Sequence, residues 1–317
     1  MQLFSRLSNQ STRFFSSKSL DYCVDLVKKS DNESYLCCLL LPNRIRHQAF
    51  IIKALNCELS TLRDQTKNQR AGLGRLEFWS KIVENAFKFD QNLLHHPVAD
   101  CLYWMIKNES RRSEIHFDLN LNRTLFLDLI SARRKIVSEY EPRIASYADL
   151  EDQGTKTFGS CNRLILNLLN IEDQLSHDLA SEAGQSLAII NLLRSFNPTL
   201  IKKNAVILPD DLFGKFSGSS KRTILRTKFK NNEQLTQICR FLASKAEEKL
   251  NRVRSNINEN RRHLKKELYS VLIFTTIIDY YLALLKKSDY NLYDRRLQLK
   301  NHYLPWSLWW NKIKRKV

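Results

Sequence analysis

Glycine and proline are scarce in this sequence, at 7 and 6 of its 317 residues. So few turn-forming residues argue against a β-sandwich or barrel rich in loops, and against collagen-like or linker-like material. Apolar residues make up 43% and aromatic residues 10% of the chain, which excludes a disordered protein. A chain of this length holds one large domain or two smaller ones.

The seven cysteines lack the spacing of a zinc site or of a disulfide framework. No two of them form a Cys-x-x-Cys pair, and none lies in a Cys/His cluster of zinc-binding spacing. We therefore interpret them as small buried hydrophobic residues of a protein in a reducing compartment.

A long apolar run is also absent. The best candidate, residues 271–285, is shorter than the roughly 20 apolar residues that a bilayer requires. It also carries Asp279 in its interior. We therefore expect a buried helix of the core here, and no transmembrane helix.

Acidic residues are missing from the first twenty positions, which hold six serines and the basic residues Arg6, Arg13 and Lys18. Written as a helix, the apolar residues of this segment fall broadly on one side. A basic, serine-rich and acid-free amphipathic start is typical of an organelle transit peptide, and the apolar run of a secretory signal is absent. We predict a transit peptide over residues 1–19; the alternative is an ordinary disordered terminus.

Apolar residues recur at helical spacing through the rest of the chain. The clearest stripe steps by three or four residues through Ile45, Ala49, Ile52, Leu55, Leu59 and Leu62. No run of strict alternation approaches it in length. The pattern predicts an all-α protein with a single helical domain over residues 20–304, followed by an aromatic and basic tail over residues 305–317.

Familiar catalytic motifs are absent. The sequence has no P-loop, no GxGxxG, no HExxH and no GxSxG pattern. The one histidine pair, His95 and His96, is a poor metal clamp because adjacent helical residues point about 100° apart. We interpret it as a loop before Pro97, and we expect no metal and no cofactor.

Two of the predicted helices place small or polar residues on an inward face. Asn56 and Ser60 lie one turn apart beside the apolar stripe, and Asn191 and Ser195 share one face of a later helix with Gly184. Small and polar residues that face inward from two helices leave room between them. The spacing therefore predicts an internal pocket in a helical bundle.

Three segments in this order resemble the squalene/phytoene synthase family. They are LxxELxxxRDxxxxxxxGLxRLxFW at residues 55–79, GxxxxIxNLLRS at residues 184–195 and ILPDDLF at residues 207–213. The resemblance implies an isoprenoid-synthase-like bundle of α-helices with a central cavity. It extends over roughly residues 20–304.

The same segments depart from the family at its metal site. Family enzymes carry DxxxD on each of two facing helices, where i, i+4 carboxylates hold Mg²⁺ against a diphosphate. Here the two positions read NCELS at residues 56–60 and SFNPT at residues 195–199. Pro198 is expected to end the second helix. These losses imply a pseudo-enzyme with degenerate-pocket candidates Asn56, Glu58, Ser60, Asp64, Asn191, Arg194 and Ser195.

Within the family, the chain is most similar to the branch of mitochondrial complex I assembly factors whose aspartate motifs have decayed. The variant motif at residues 56–59, the helix around Arg75, Phe78 and Trp79, and the segment around residues 299–305 fit that branch. The resemblance implies a matrix protein, peripheral to the inner membrane, that acts on complex I subunits or intermediates at an early step of assembly.

The tail combines aromatic and basic residues. Trp306, Trp309 and Trp310 fall on one helical face, and basic residues follow them. Such rings favour the headgroup level of a bilayer and such cations favour anionic lipid. The membrane-contact candidates are Trp306, Trp309, Trp310, Lys312, Lys314 and Arg315. The alternative is that the tryptophans pack onto the bundle.

Two other functions fit parts of the sequence. A residual isoprenoid- or lipid-modifying transferase would need an atypical metal site, built from Glu58, Asp64 and Glu172 or Asp173. The net charge of +18 would suit a basic membrane or RNA tether. However, the basic residues are spread along the whole chain without a nucleic-acid-binding motif, so no nucleic-acid partner is expected.

Overall fold

The computed structural model describes residues 17–66, 68–90, 96–113, 121–139, 143–216, 221–226 and 233–317. Most of the predicted transit peptide, residues 1–19, lies outside the described residues, and so does His95. The first eight helices are α1 (Ser17–Ser30), α2 (Asn32–Leu39), α3 (Asn43–Gln65), α4 (Gln69–Phe87), α5 (Pro97–Ser113), α6 (Arg123–Ser138), α7 (Tyr147–Gly154) and α8 (Ser160–Leu168). The others are α9 (Gln174–Lys203), α10 (Asp210–Lys215), α11 (Lys221–Arg226), α12 (Glu233–Glu259), α13 (Leu268–Val271), α14 (Thr275–Lys287) and α15 (Leu304–Lys314).

Polar side chains start several of these helices. Asn68, Asn122 and Asp173 each accept a hydrogen bond from a backbone N–H in the first turn of the helix that follows. Ser146 and Asp149 form a reciprocal capping box at the start of α7. These local signals set where the helices begin, and the apolar stripes then decide which faces are buried.

The core is one cluster of buried side chains around α3. Ile51, Ile52 and Leu55 of this helix have no exposed surface, and α3 packs against α1, α5, α6 and α8. The long helix α9 packs against α7, α12 and α14. The prediction of an all-α helical bundle is confirmed, since the described residues contain helices and only one isolated β-bridge.

The run Leu268–Lys287 is the one segment of the described chain that is long and apolar enough to cross a membrane by length and composition. Its most apolar window is 78% buried within the fold. Asp279, in the middle of the run, forms an ion pair of 2.6 Å with Arg254 of α12. The segment therefore packs as a core helix of the bundle, as the sequence predicts.

All seven cysteines are free. Six of them are buried, as predicted, and Cys37 is half-buried. Burial raises the pKa of both the Cys38 and the Cys57 thiol to about 12. These groups are therefore neutral thiols at neutral pH.

Two glycines allow a close helix contact beside the cavity described below. A π-helical turn, Thr155–Gly159, joins α7 to α8 and crosses α9. A Cβ atom on Gly184 of α9 would lie 2.5 Å from the backbone nitrogen of Gly159. A side chain at residue 184 would push the two segments apart.

Pro198 does not end its helix, so that prediction is wrong: α9 continues to Lys203. Proline has no backbone N–H, and the carbonyl of Arg194, four residues earlier, consequently lacks its helical donor. The side-chain amide of Gln298 donates a hydrogen bond to that carbonyl oxygen. A residue about a hundred positions away thus supplies the hydrogen bond that proline removes.

The C-terminal helix α15 is attached to the bundle along one side. Leu304 and Leu308 are buried, and the Asn311 side-chain amide donates a hydrogen bond of 3.0 Å to the Thr276 hydroxyl oxygen of α14. The opposite side is exposed and apolar. Its exposed fractions are 70% for Trp306, 48% for Trp309, 52% for Trp310 and 56% for Ile313.

Candidate functional site

A cavity of about 780 Å³ lies between α2, α3, α6, α9 and the segment before α15. It opens to the surface beside the exposed Ser195. The structure brings five of the seven predicted pocket residues together in its wall: Asn56, Ser60, Asn191, Arg194 and Ser195. Helical spacing predicted inward faces for Asn56 with Ser60 and for Asn191 with Ser195, and both helices line the same cavity.

The amide of Asn56 faces a guanidinium that sequence reasoning missed. Arg133 of α6 lines the cavity and donates from Nη2 to the Asn56 Oδ1 atom at 3.2 Å. Its Nε atom is buried and has no hydrogen-bond partner within the part of the chain that the structure describes. Arg133 follows Leu129 by four residues, so it continues the apolar stripe of α6. The position of a basic residue within an apolar stripe is the sequence signal that could have identified Arg133 as a residue of the cavity.

Burial lowers the pKa of the Arg133 guanidinium, and the nearby thiols of Cys161 and Cys57 oppose that shift. No carboxylate of the described residues forms an ion pair with it. The Asn56 amide is neutral and supplies only a dipole. The cation on α6 is therefore uncompensated in this wall of the cavity.

A second guanidinium, that of Arg194, has a carboxylate counter-charge, although its Nε atom is also buried without a hydrogen-bond partner among the described residues. Its Nη1 atom lies 2.6 Å from Glu33 Oε2, and its Cζ atom lies 3.8 Å from the ring centre of Tyr281. The Tyr281 hydroxyl donates to Glu33 Oε1 at 2.8 Å. Burial, followed by the charge and hydrogen bonding of Glu33, raises the pKa of this hydroxyl above its ordinary value, although Arg194 opposes the shift. This network joins α2, α9 and α14.

The two serines of the pocket are bonded to their own helices. Ser60 Oγ donates to the Cys57 carbonyl at 2.8 Å, and Ser195 Oγ donates to the Leu192 carbonyl at 3.0 Å. Their protons are thus directed away from the cavity, and the hydroxyl oxygens remain able to accept hydrogen bonds. Neither contact provides the general base that a serine nucleophile needs.

Glu58 and Asp64 lie away from the cavity, which corrects the prediction for these two residues. Glu58 is two positions beyond Asn56, about 200° around the helix. It accepts a hydrogen bond of 3.0 Å from the Tyr22 hydroxyl and lies 3.8 Å from His96 Nε2. Asp64 is at the surface and forms an ion pair with Lys203. The two carboxylates face different partners and do not form one site.

Mg²⁺ does not fit the groups that surround the cavity. The carboxylates in its wall are Asp31, which caps α2, and Glu33, which pairs with Arg194. Asp173, a ligand of the alternative metal site, caps α9 and does not line the cavity. Among the described residues no three His, Cys, Asp or Glu side chains form a group that could hold a metal ion. The unpaired Arg133 would also repel a divalent cation.

This bundle and cavity define the class of protein. The chain belongs to the squalene/phytoene synthase family, whose sequence profile matches residues 27–310. Two solved structures share the fold. One is squalene synthase HpnC from Alicyclobacillus acidocaldarius, with a TM-score of 0.70 and 15% identity; the match covers 86% of this chain and 95% of that chain. The other is a dehydrosqualene synthase in complex with ligand, with a TM-score of 0.69 and 19% identity; the match covers 94% of this chain and 96% of that chain.

Several proteins are more similar in sequence to this chain than these two synthases are, and they are named as complex I assembly factors. The Mus musculus protein "NADH dehydrogenase (ubiquinone) complex I, assembly factor 6" is 30% identical over 294 residues, which are 92% of this chain and 82% of that protein. The Homo sapiens protein of the same name is 28% identical with the same coverage. The Drosophila melanogaster homolog is 26% identical over 92% of this chain and 83% of its own length. These findings confirm the resemblance to the family and to this group of relatives.

Proposed function

We propose that this chain is a non-enzymatic assembly factor for mitochondrial respiratory complex I, acting at an early step on the matrix side. The names of its relatives support the assembly role, since the chain matches them over nearly all its length. The observation that carries the non-enzymatic part is the wall of the cavity. It presents Asn56 and Ser60, with Arg133 bonded to Asn56, at the place where the family motif has aspartates.

Ionisation of a prenyl diphosphate needs paired carboxylates that hold Mg²⁺ against the leaving group. A guanidinium bonded to a neutral amide cannot hold that metal. We therefore regard the chain as a pseudo-enzyme of the prenyl-transferring synthases, with its partners among complex I subunits or assembly intermediates.

The proposed organisation is a mitochondrial transit peptide over residues 1–19, a helical domain over residues 20–304 and a tail over residues 305–317. The acid-free, basic start supports import into the matrix. The tail supports a peripheral position on the inner membrane, because its exposed apolar side carries three tryptophans. No nucleic-acid partner is part of the proposal.

Basic residues accompany this exposed side. Lys314 and Arg315 are exposed, and Lys314 Nζ lies 4.5 Å from the ring centre of Trp310. Lys312 is half-buried, and burial together with Arg46 lowers its pKa. We therefore assign the contact with anionic lipid to Lys314 and Arg315, with Lys312 at the edge of the surface. Each basic residue near such a surface contributes about 1 kcal/mol.

The assembly role is tested in mitochondria that lack the protein, by resolving the respiratory complexes on a native gel. We expect a selective loss of complex I, restored by the wild-type chain and by Glu58→Gln, which keeps the acceptor for Tyr22. Normal complex I would refute the role. Rescue by the wild-type chain but not by Glu58→Gln, with magnesium-dependent turnover of a prenyl diphosphate, would favour the transferase.

The membrane contact is tested by sedimentation with vesicles of phosphatidylcholine, with and without cardiolipin. Replacing Trp306, Trp309 and Trp310 by serine is expected to weaken binding to the vesicles by more than about tenfold. The variant lacks the aromatic rings that favour the headgroup region of the bilayer. Replacing Lys314 and Arg315 by glutamine is expected to remove the preference for cardiolipin. The control is Phe89→Ser, an exposed aromatic residue two positions beyond α4. Equal loss in the control would contradict the assignment.

A further inference from the structure

A basic groove of about 810 Å³ lies at the surface where α12 meets the last residues of the chain. Its wall includes Arg254 of α12, Arg261 in the turn after α12, and Lys314, Arg315 and Lys316. We infer that this groove binds the headgroup of an anionic bilayer lipid, and that a headgroup with two phosphates fits it better than one with a single phosphate. The inference rests on the membrane contact proposed above and adds the site that the headgroup occupies.

The first argument is the charge of the wall. Asp279 is the one acidic side chain of the groove within the described residues, and its carboxylate lies 2.6 Å from Arg254 Nη2. The Arg254 Nε atom donates to the main-chain oxygen of Val317 at 2.8 Å. Arg254 therefore takes both acceptors. The other four basic residues of the wall form no ion pair among the described residues, and a concave cluster of like charges attracts anions.

The second argument is that the last residues of the chain are held against α12. Arg315 follows α15 in the left-handed conformation, with φ of 48°. The Lys316 N–H donates to the Asn311 carbonyl oxygen at 2.9 Å, which is the hydrogen bond of a Schellman ending. The chain then reaches Arg254, which binds the main-chain oxygen of Val317. The cations of this segment are consequently fixed at the groove and not spread along a frayed tail.

The third argument is the position of the groove beside the apolar side of α15. Lys314 lines the groove, and its Nζ atom lies 4.5 Å from the ring centre of the exposed Trp310. A lipid with its phosphate in the groove keeps its acyl chains beside the tryptophan rings, at the headgroup level that such rings favour. A nucleic acid or a free phosphate would leave these rings in water. The occupant that suits both surfaces is therefore a bilayer lipid.

The fourth argument concerns the size and charge of the headgroup. The four unpaired cations exceed the charge of a headgroup with a single phosphate, and the volume of about 810 Å³ exceeds the space that one phosphate needs. When two phosphates are joined by a short bridge, contact by the first raises the effective concentration of the second at the neighbouring cations. Cardiolipin is a bilayer lipid with such a headgroup.

The experiment compares two anionic surfaces of equal charge. The purified full chain is sedimented with phosphatidylcholine vesicles that carry either cardiolipin or twice the molar share of phosphatidylglycerol. A diffuse attraction to negative charge does not distinguish these vesicles, whereas a site for two phosphates does. We expect the wild type to bind the cardiolipin vesicles at least about threefold more tightly.

The test variant is Arg261→Gln, and its matched control is Arg262→Gln. The control removes the same charge from the next residue, which is exposed and does not line the groove. We expect Arg261→Gln to bind the two kinds of vesicle equally and Arg262→Gln to keep the preference for cardiolipin. Both positions are exposed, so both variants should keep the melting temperature of the wild type.

Three outcomes would overturn the inference. They are equal binding of the wild type to the two kinds of vesicle, a preference for cardiolipin that Arg261→Gln retains, and an equal loss of that preference in Arg261→Gln and Arg262→Gln. In each of these the wild type still binds vesicles, so the proposed membrane contact stands. Absence of wild-type binding to every vesicle would instead refute the membrane contact, and the inference would fail with it.

Discussion

Arg133 and Arg194 line the same cavity from different helices, and they differ in whether a carboxylate balances their charge. Arg194 is held by the Glu33 carboxylate, the Asn191 amide and the face of Tyr281. Among the described residues, Arg133 has the Asn56 amide as its one hydrogen-bond partner. The α9 side of the cavity thus carries a guanidinium paired with a carboxylate, and the α6 side carries one without a carboxylate partner among the described residues. The contrast is therefore between a guanidinium with a carboxylate counter-charge and one with a neutral amide.

The largest expected effect comes from removing the counter-charge of Arg194. Glu33→Gln keeps an acceptor for Tyr281 and leaves the guanidinium unpaired. We expect a loss of about 1–3 kcal/mol in the free energy of unfolding, less than for a fully buried pair because both side chains are partly exposed. Urea denaturation measures it. The control is Glu77→Gln, at an exposed position of α4. If Glu33→Gln lowered the free energy of unfolding no more than this control does, the stabilising role of the Glu33–Arg194 pair would be contradicted.

Tyr281→Phe tests the same junction through pH. Removing the hydroxyl should cost about 1 kcal/mol at pH 7, since one hydrogen bond to a charged group is lost. The folded-state pKa of Tyr281 is raised above the ordinary tyrosine value of 10.0. Its contribution is therefore fully present below pH 10 and is lost as pH rises towards the folded-state pKa.

The stabilities of wild type and Tyr281→Phe should consequently stay apart up to about pH 10 and converge above it, as measured by urea denaturation along a pH series. Tyr280→Phe, which alters the neighbouring ring, is the control and should run parallel to the wild type. A constant difference between wild type and Tyr281→Phe across the series would mean that ionisation of Tyr281 is not linked to folding.

A smaller effect is expected at the backbone of Arg194. Gln298→Ala removes the donor to its carbonyl oxygen and should cost about 1 kcal/mol. In a Pro198→Ala background the helix supplies its own N–H, and the cost of Gln298→Ala should fall below about 0.5 kcal/mol. A double-mutant cycle by chemical denaturation measures the coupling. Equal costs in the two backgrounds would show that the amide of Gln298 does not compensate for the proline.

The smallest effect is expected at Arg133. Arg133→Met removes an unpaired cation and keeps an apolar side chain of similar length, so the free energy of unfolding of the ligand-free protein should stay unchanged or rise by up to about 1 kcal/mol. Arg194→Met provides the comparison and should be clearly destabilising, because Glu33 then loses its partner. Similar losses in the free energy of unfolding for the two variants would contradict the distinction between Arg133 and Arg194.

Much of the fold and of the site follows from helical periodicity. Asn56 with Ser60, and Asn191 with Ser195, are i, i+4 pairs whose inward direction a single helix already determines. Arg133 could not be assigned in the same way, because its lack of a counter-charge depends on α3 and α8 together. Pro198 escaped prediction because its compensating donor, Gln298, is remote in sequence. The exposure of the tryptophans also depends on packing, since periodicity defines a face without saying what it contacts.

The segment around residues 298–304 belongs to two surfaces at once. Leu299, Lys300 and Leu304 line the cavity, and Leu304 is also the first residue of α15. A shift of this helix would move the cavity wall, and a change in the wall would move the helix. Thermodynamic reciprocity then requires that a bilayer which alters the affinity for a cavity ligand has its own affinity altered by the same factor. Under the proposed membrane contact, any occupant of the cavity that moves this segment would change how much of the protein is bound to the membrane.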